Sequence, residues 1–173
     1  MKKLFLIIQI VSIILTAIVT ITFVIPTPVH AQYNNSQLVT KIWTHITGNP
    51  GDTLNWTNQV LDAARNLIII GNNLQNNQTT DMLLTKYKSG DGSVMWQVQY
   101  DNSGNDDFGI SVVCDPSKNI YTATTSYINF TNGYDWVIQK YDSNGTVQWT
   151  KTYSSGFYDV PTDMKYDGIG NLY

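Results

Sequence analysis

The acidic loop Asp101–Asp107, DNSGNDD, contains the side chains of this 173-residue chain that are best suited to bind a metal ion. Its three carboxylates, Asp101, Asp106 and Asp107, lie among amide oxygens, and Ca²⁺ prefers such hard oxygen donors. The order departs from the EF-hand loop, which needs glycine at its sixth position, where Asp106 stands. A later segment of the same kind, SSGFYD, keeps only Asp159. A solvated loop is the simpler interpretation, and a calcium site is the alternative.

The sequence predicts no catalytic residue and no cofactor-binding residue. After the N-terminal segment the chain has a single histidine, His45, and its only cysteine is Cys114. A zinc site or a Cys/His nucleophile pair would therefore lack its parts. The sequence has neither a nucleophile-elbow motif nor a phosphate-binding glycine loop. Cys114 ends an apolar run, so we expect a small buried side chain there, with an intermolecular disulfide as the alternative.

Residues 1–31 are typical of a targeting segment. Lys2 and Lys3 precede the apolar run Leu4–Ile25, and Val29–Ala31 fits a cleavage site for a signal peptide. The run is also long enough for an uncleaved membrane anchor, which would be the protein's only association with a membrane. Both alternatives place the remaining chain outside the cytoplasm, secreted or on the cell surface.

The composition beyond this segment favours strands and turns. All thirteen acidic residues are aspartate, while Thr, Tyr, Val, Ile, Asn and Gly are abundant. An acidic chain without a basic cluster is poorly suited to bind nucleic acid, and we expect no nucleic-acid partner.

Self-comparison shows an internal repeat of about 53 residues. The segment DAARNLI at Asp62 is repeated as DPSKNIY at Asp115 and as DGIGNLY at Asp167. The same step relates three tryptophans and several paired Asp, Lys and Tyr positions: Trp43, Trp96, Trp149; Asp81, Asp135; Lys86, Lys140; Tyr87, Tyr141; Tyr100, Tyr153. We expect the recurring aspartates to be turn residues and the tryptophans to pack between neighbouring units.

Each unit is predicted to form four short antiparallel strands. The unit boundaries are a segment 32–52 with one strand typical of the end of a unit, repeats at 53–107 and 108–159, and the start of a third repeat at 160–173. Asp91-Gly92 and Asn144-Gly145 predict tight hairpin turns in which both central residues have positive φ. In the Asp-x-x-x-Asn turns, we expect the Asp to accept backbone N–H groups and the Asn to adopt the left-handed conformation.

These units resemble the secreted SBBP repeat of seven-bladed β-propellers. DGIGNLY, DWVIQKYDSNGTVQW and DMLLTKYKSGDGSVMW match that pattern, whereas Lys118 and Arg65 stand where it has glycine. The resemblance covers about residues 38–173 and implies an all-β fold with about two complete four-stranded blades of an incomplete β-propeller. It also implies that the chain is an N-terminal fragment cut at the start of a third blade. It carries no catalytic signature.

The expected function is that of an exported, non-enzymatic binding or adhesion scaffold for an extracellular ligand, protein or carbohydrate. The segments SGDGSVMW and SNGTVQW are also similar to quinoprotein propellers, so the first alternative is a fragment of a quinoprotein-like or lyase-like propeller enzyme. The second alternative is an oligomerising β-sheet module. Five glycosylation sequons begin at Asn34, Asn55, Asn77, Asn129 and Asn144. The predicted loops favour Asn77 and Asn129 as sites for a glycan.

Overall fold

The computed structural model describes the strands at 19–23 and 43–47 and residues 53–74, 79–129 and 133–173. These residues form ten strands and no helix: β1 Val19–Phe23, β2 Trp43–Thr47, β3 Thr53–Leu61, β4 Leu67–Leu74, β5 Thr80–Tyr87, β6 Val94–Tyr100, β7 Asp107–Cys114, β8 Ile120–Asn129, β9 Gly133–Tyr141 and β10 Val147–Tyr153. β1, which lies inside the predicted targeting segment, pairs antiparallel with β2. The described residues therefore include no helix that is long and apolar enough to span a membrane.

The two repeats form two separate four-stranded antiparallel sheets. In the first sheet β3, β4, β5 and β6 pair in chain order, and in the second sheet β7, β8, β9 and β10 do the same. Neither sheet closes on itself. The predicted all-β class and the four strands of each repeat are confirmed, because alternating apolar residues separated by Asp- and Gly-containing turns determine short paired strands.

One turn structure recurs at four places. Its first residue is Asp62, Asp115, Asp142 or Asp167, and the carboxylate Oδ1 accepts the backbone N–H of the residue four positions later at 2.8–3.0 Å. The same aspartate also exchanges backbone hydrogen bonds across the turn, as in Asp142 N to Thr146 O at 2.9 Å. A type I turn followed by one left-handed residue has this pattern. The predicted role of the Asp residues as turn residues is confirmed.

The predicted position of the left-handed residue is wrong by one. Positive φ occurs at Arg65, Lys118 and Gly170, the residues immediately before the asparagines. The asparagine side chain instead donates to the aspartate, as in Asn119 Nδ2 to Asp115 Oδ2 at 2.6 Å. This geometry explains why glycine suits the position before the asparagine: a side chain there is strained.

The two hairpin turns also differ from the prediction. Gly92 and Gly145 have positive φ, at 71° and 85°, but Asp91 and Asn144 do not. The turn after Asp142 has three residues, and the turn after Lys88 has four, which accounts for the one-residue difference between the repeats. The turns are therefore of the type I family, in which only the last residue needs the left-handed region.

The two sheets pack face to face through β7, which crosses β3, β4 and β5. Ile68, Ile70, Met82 and Leu84 from the first sheet meet Val112, Ile120 and Tyr141 from the second. Gly109 permits the close approach, because a Cβ there would lie 2.6 Å from Ile70 and 2.7 Å from Met82. This apolar cluster is therefore an interface between consecutive repeats, while a second cluster, Leu67, Ile69 and Tyr87, lies on the opposite face of the first sheet.

The corresponding strands of the two sheets differ in burial. In β5 almost every residue is buried, on both faces. In β9 burial alternates: Val137 and Tyr141 are buried, whereas Trp136 on the other face is 39% exposed. The face of the first sheet that carries Met82 and Leu84 is thus covered by the second sheet, whereas the equivalent face of the second sheet is only partly covered.

A substitution at Lys118 tests the turn. Lys118 is exposed and has a φ of 67°, so Lys118→Gly is expected to raise the free energy of unfolding by roughly 0.5–1 kcal/mol. Ser117→Gly in the same turn is the matched control, because Ser117 has no positive φ and glycine there only adds backbone entropy to the unfolded state. Urea denaturation measures both. Equal destabilisation by both glycines would contradict the assigned turn.

Candidate functional site

A buried ion pair lies at the junction of the two sheets. Lys86 Nζ is 2.8 Å from Asp62 Oδ2, and the two side chains are 2% and 0% exposed. Lys86 lies on β5, on the face shared with Met82 and Leu84, and Asp62 is the turn residue that follows β3. Because an unpaired charge would be strongly destabilising here, each residue requires the other.

The second sheet supplies the remaining contacts of Lys86. The carbonyl oxygen of Ser143, in the turn between β9 and β10, accepts a hydrogen bond from Lys86 Nζ at 3.2 Å and one from Trp96 Nε1 at 3.0 Å. Gly145 in the same turn lies so close that a Cβ would be 2.9 Å from the Trp96 ring. This Lys86 junction, composed of Asp62, Lys86, Trp96 and Ser143, therefore joins one repeat to the next.

The second repeat carries the counterparts of Asp62, Lys86 and Trp96, but among the described residues no further sheet contacts them as Ser143 contacts Lys86 and Trp96. Asp115, Lys140 and Trp149 are the counterparts of Asp62, Lys86 and Trp96. Lys140 is partly exposed, and its Nζ lies 5.5 Å from the centre of the Tyr121 ring. The predicted packing of tryptophans between units is confirmed for Trp96, whereas Trp43 has no described side chain and Trp149 lies on the partly covered face.

Residues 160–173 lie on that partly covered face. Tyr166 stacks on Tyr121 with ring centroids 6.4 Å apart, and Met164 is buried. Tyr166 bridges to Leu172 around the Asp167 turn. Between this segment and β9 lies a pocket of about 340 Å³, lined by apolar side chains that include Trp136, Ile138 and Tyr153.

The structure brings together two of the three candidate calcium ligands, Asp101 and Asp107, and adds Asp81 in the place of Asp106. Carboxylate oxygens of Asp101 and Asp107 lie within 4.8 Å of each other and of an Asp81 oxygen. Asp106 is not one of the three converging residues: its Oδ1 accepts the backbone N–H of Thr80 at 2.8 Å and its carbonyl accepts that of Tyr127, although its charge contributes to the raised pKa of Asp81. We refer to Asp81, Asp101 and Asp107 as the acidic cluster. A solvated loop was the simpler expectation, but Asp81 and Asp107 are both buried.

The electrostatics of the acidic cluster are unfavourable to three negative charges. Burial raises the pKa of Asp107 to about 6, and the charges of Asp101 and Asp81 add to that rise against hydrogen bonds from Ser126 and Asn102. Burial also raises the pKa of Asp81, again with a contribution from Asp101. Carboxylates that repel one another in this way favour a proton or a cation between them.

The structure also places the remaining residues that the sequence singled out. Burial raises the pKa of the Cys114 thiol to about 12, which makes it a poor nucleophile at neutral pH. Asn55 lies in β3, Asn129 ends β8 and Asn144 lies in the turn before β10, so only Asn129 and Asn144 of these three are outside strand interiors. The side chain of His45, the sequons at Asn34 and Asn77 and most of the targeting segment lie outside the described residues.

Sequence reasoning missed two residues of the candidate site, Lys86 and Asp81. Both recur at the repeat step, as Lys140 and Asp135, but the recurrence alone does not indicate a role. A signal was present, because each is a charged residue within the otherwise apolar strand DMLLTKY. A charge in a strand covered on both faces must be paired or bind a ligand.

Comparisons with known proteins do not assign a family. No family model matches the chain, and a search of curated proteins finds no match. The resemblance to the SBBP repeat therefore rests on the quoted motifs.

Replacing Asp62 tests the ion pair. Asp62→Asn is expected to lower the free energy of unfolding by about 3–5 kcal/mol, because it leaves Lys86 charged, buried and unpaired. Asp115→Asn is the matched control: it alters the same turn, but Lys140 is partly exposed, so a loss of about 1 kcal/mol is expected. Chemical denaturation measures both, and equal losses would contradict a special role for Lys86.

The pH dependence of stability follows from the same pair. Burial alone would raise the pKa of Asp62, but hydrogen bonds from Lys86 and Asn66 outweigh it and lower the pKa below the ordinary 3.8. A lowered pKa in the folded state contributes stability that is present above pH about 4 and is lost as the pH falls through the folded pKa. Wild-type stability is therefore expected to fall more steeply than that of Asp62→Asn below pH about 4.

Proposed function

We propose that this protein is exported and acts outside the cytoplasm as a non-enzymatic repeat scaffold for binding or adhesion, with its two sheets as successive blades of a β-propeller. The observation that carries the proposal is the contact between consecutive units, in which side chains at equivalent positions meet, Asn58 with Ser111 and Ser111 with Asp163. Stacked four-stranded sheets are the building principle of propellers, in which each unit buries its face on the next.

A ladder of side-chain hydrogen bonds supports the propeller arrangement. Asn58 Nδ2 donates to Ser111 Oγ at 3.3 Å, and Ser111 Oγ donates to Asp163 Oδ1 at 2.9 Å. The three residues are 53 and 52 positions apart and occupy the same place in successive repeats. The segments that open successive units, β3, β7 and the segment around Asp163, therefore lie side by side, as the innermost strands of successive propeller blades do.

The scaffold role is supported by how the chemically versatile side chains are used. Asp62, Lys86 and Trp96 hold repeats together, and Asp115 and Asp167 close turns. Side chains free to meet a ligand are instead exposed aromatic groups in and beside the loop after β10, above all Phe157, which is 78% exposed. Loops on a rigid sheet scaffold are common positions for binding residues, and aromatic rings suit both carbohydrate and protein ligands.

The partly covered face of the second sheet favours a second candidate function, an oligomerising module. Trp136 and Tyr153 are exposed there and contact each other with ring centroids 6.3 Å apart. Apolar surface of this kind is typical of interaction sites. A further sheet from another chain would bury it as the second sheet buries the first.

Export is tested with a reporter fusion. Residues 1–40 joined to alkaline phosphatase, which needs disulfides formed outside the cytoplasm, are expected to give active enzyme in a bacterial host. Ile13→Asp is the matched control, because a charge interrupts the apolar run and should abolish activity. N-terminal sequencing of the exported product distinguishes cleavage after Ala31 from retention of an anchor. Active enzyme from both fusions, or from neither, would contradict the export proposal.

Ligand binding is tested with labelled protein on a glycan array and on immobilised extracellular proteins. Saturable binding without chemical change of the ligand is expected, and Phe157→Ser should weaken it by about tenfold if the ring is an anchor residue. Ile169→Ser, at an equally exposed position in another turn, is the matched control and should bind as the wild type does. Light scattering on the same samples tests the oligomeric alternative. Turnover of the ligand, or no saturable binding, would contradict the scaffold proposal.

A further inference from the structure

We propose that Asp81, Asp101 and Asp107 form a divalent-cation site, with Ca²⁺ as the preferred ion, and that the bound ion joins the end of the first sheet to the start of the second. This inference is independent of the ligand-binding proposal, since it concerns the cohesion of the repeats. One carboxylate oxygen from each residue lies within 4.8 Å of the others. An ion that is about 2.4 Å from each oxygen requires separations of this size.

The three residues of the acidic cluster come from both sheets, so a cation bound by them would connect the two sheets. Asp81 lies in β5, Asp101 follows β6, and Asp107 begins β7. Asp81 and Asp101 thus mark neighbouring ends of two paired strands of the first sheet, while Asp107 belongs to the strand that crosses that sheet. A cation held by all three would connect the two repeats at the opposite end of β5 from the Lys86 junction.

Unpartnered buried oxygens provide a second, independent observation. Asp81 is 1% exposed and Asp107 is 0% exposed, and Oδ1 of each is buried without a hydrogen-bond partner. Buried carboxylate oxygens are ordinarily hydrogen-bonded, paired with a cation or coordinated to a metal. The ion pairs among the described residues, Lys86–Asp62, Lys88–Asp91 and Lys165–Asp163, all lie elsewhere. A metal cation supplies the positive charge that these oxygens lack.

Each carboxylate of the acidic cluster is oriented by a hydrogen-bond donor. Gln99 Nε2 donates to Asp81 Oδ2 at 2.5 Å, the Asn102 N–H to Asp107 Oδ2 at 2.5 Å, and the Gly104 N–H to Asp101 Oδ1 at 2.6 Å. Donors to ligating carboxylates fix their direction and strengthen metal sites. Because Asp101 is exposed, water can complete the coordination from that side. Irregular oxygen coordination with several ligands suits Ca²⁺ better than Mg²⁺, which demands a near-ideal octahedron.

The second repeat provides an internal comparison. Asp135 and Asp159 correspond to Asp81 and Asp107, but Ser154 stands at the position of Asp101. Asp159 is partly exposed and is satisfied by Ser155, which donates its backbone N–H and its hydroxyl. Asp135 alone keeps a buried oxygen without a partner. An unpartnered oxygen at the Asp81 position therefore occurs in both repeats, whereas the unpartnered oxygen of Asp107 and the convergence of three carboxylates occur, among the described residues, only in the first.

The test uses the full chain at pH 7.5 with EDTA, CaCl₂, MgCl₂ or MnCl₂, followed by thermal unfolding and calorimetric titration. Calcium is expected to raise the melting temperature and to bind with one-site stoichiometry. Asp101→Asn should weaken calcium binding by at least about tenfold, because even the loss of a residue that only supports a ligand costs metal sites about 10–100-fold in affinity. Asp106→Asn is the matched control: it lies in the same loop, retains an acceptor for Thr80, and should bind calcium as the wild type does.

Metal-free protein separates ligation from misfolding. In EDTA, Asp101→Asn removes a like charge beside Asp81 and Asp107 and is expected to raise the melting temperature, whereas in calcium it should melt below the wild type. This reversal of sign is not expected from a variant that merely folds badly. The proposal would be overturned if no divalent ion at 5 mM changed the wild-type melting temperature or gave binding heat, or if Asp106→Asn lost calcium binding as Asp101→Asn does.

Discussion

The arrangement of the two repeats depends on one buried ion pair, Lys86 with Asp62. Lys86 Nζ also donates to the carbonyl of Ser143, so the backbone of the second repeat helps to solvate the buried ammonium group of the first. Removing two charges from water costs free energy that hydrophobic contacts do not, so such a pair contributes to specificity of packing more than to stability. A shift of the second sheet would separate Lys86 from Ser143, and it would also break the Asn58–Ser111 hydrogen bond and the close approach at Gly109. The polar contacts of Lys86 and the apolar packing therefore favour the same register between repeats.

This coupling explains why burial differs between the two sheets. The first sheet has a neighbour on the Lys86 face and buries Met82 and Leu84 completely. The second sheet carries the same strand pattern, yet of the residues that the structure describes only 160–173 lie on its equivalent face, where Trp136 and Lys140 keep contact with solvent. Repeat proteins gain much of their stability from interfaces between neighbours rather than from each unit alone. The unit defined by the sequence repeat is thus also the unit of packing.

Much of the fold could be predicted from the sequence, because strand alternation and turn chemistry are local. The strands of both repeats and the Asp turns follow from patterns that span fewer than about ten residues, whereas the position of Trp96 between units follows from the 53-residue repeat. The φ assignment failed at Arg65 and Lys118 because glycine, the usual signal for a left-handed residue, is absent there. The prediction therefore assigned the left-handed conformation to the adjacent asparagine, a residue type that also tolerates it.

The acidic cluster could be predicted only in part, because it is assembled from residues far apart in the chain. Asp101 and Asp107 belong to one loop, and their proximity follows from the sequence. Asp81 joins the acidic cluster only because β5 pairs with β6 and because β7 crosses the first sheet. This tertiary arrangement also determines which carboxylate of the loop converges on Asp81. Asp106 was a reasonable candidate by spacing alone. Its carboxylate is directed instead to the Thr80 N–H, a backbone donor at the start of β5.

Native-state hydrogen exchange, read out residue by residue, tests the central claim that consecutive repeats form one interlocked packing unit. The account predicts that amides of β4 and β5 exchange together with those of β7, with the same free energy and only through a common opening, while β10 at the partly covered edge opens more readily. Independent exchange of the two sheets, with β7 protected no better than β10, would contradict it.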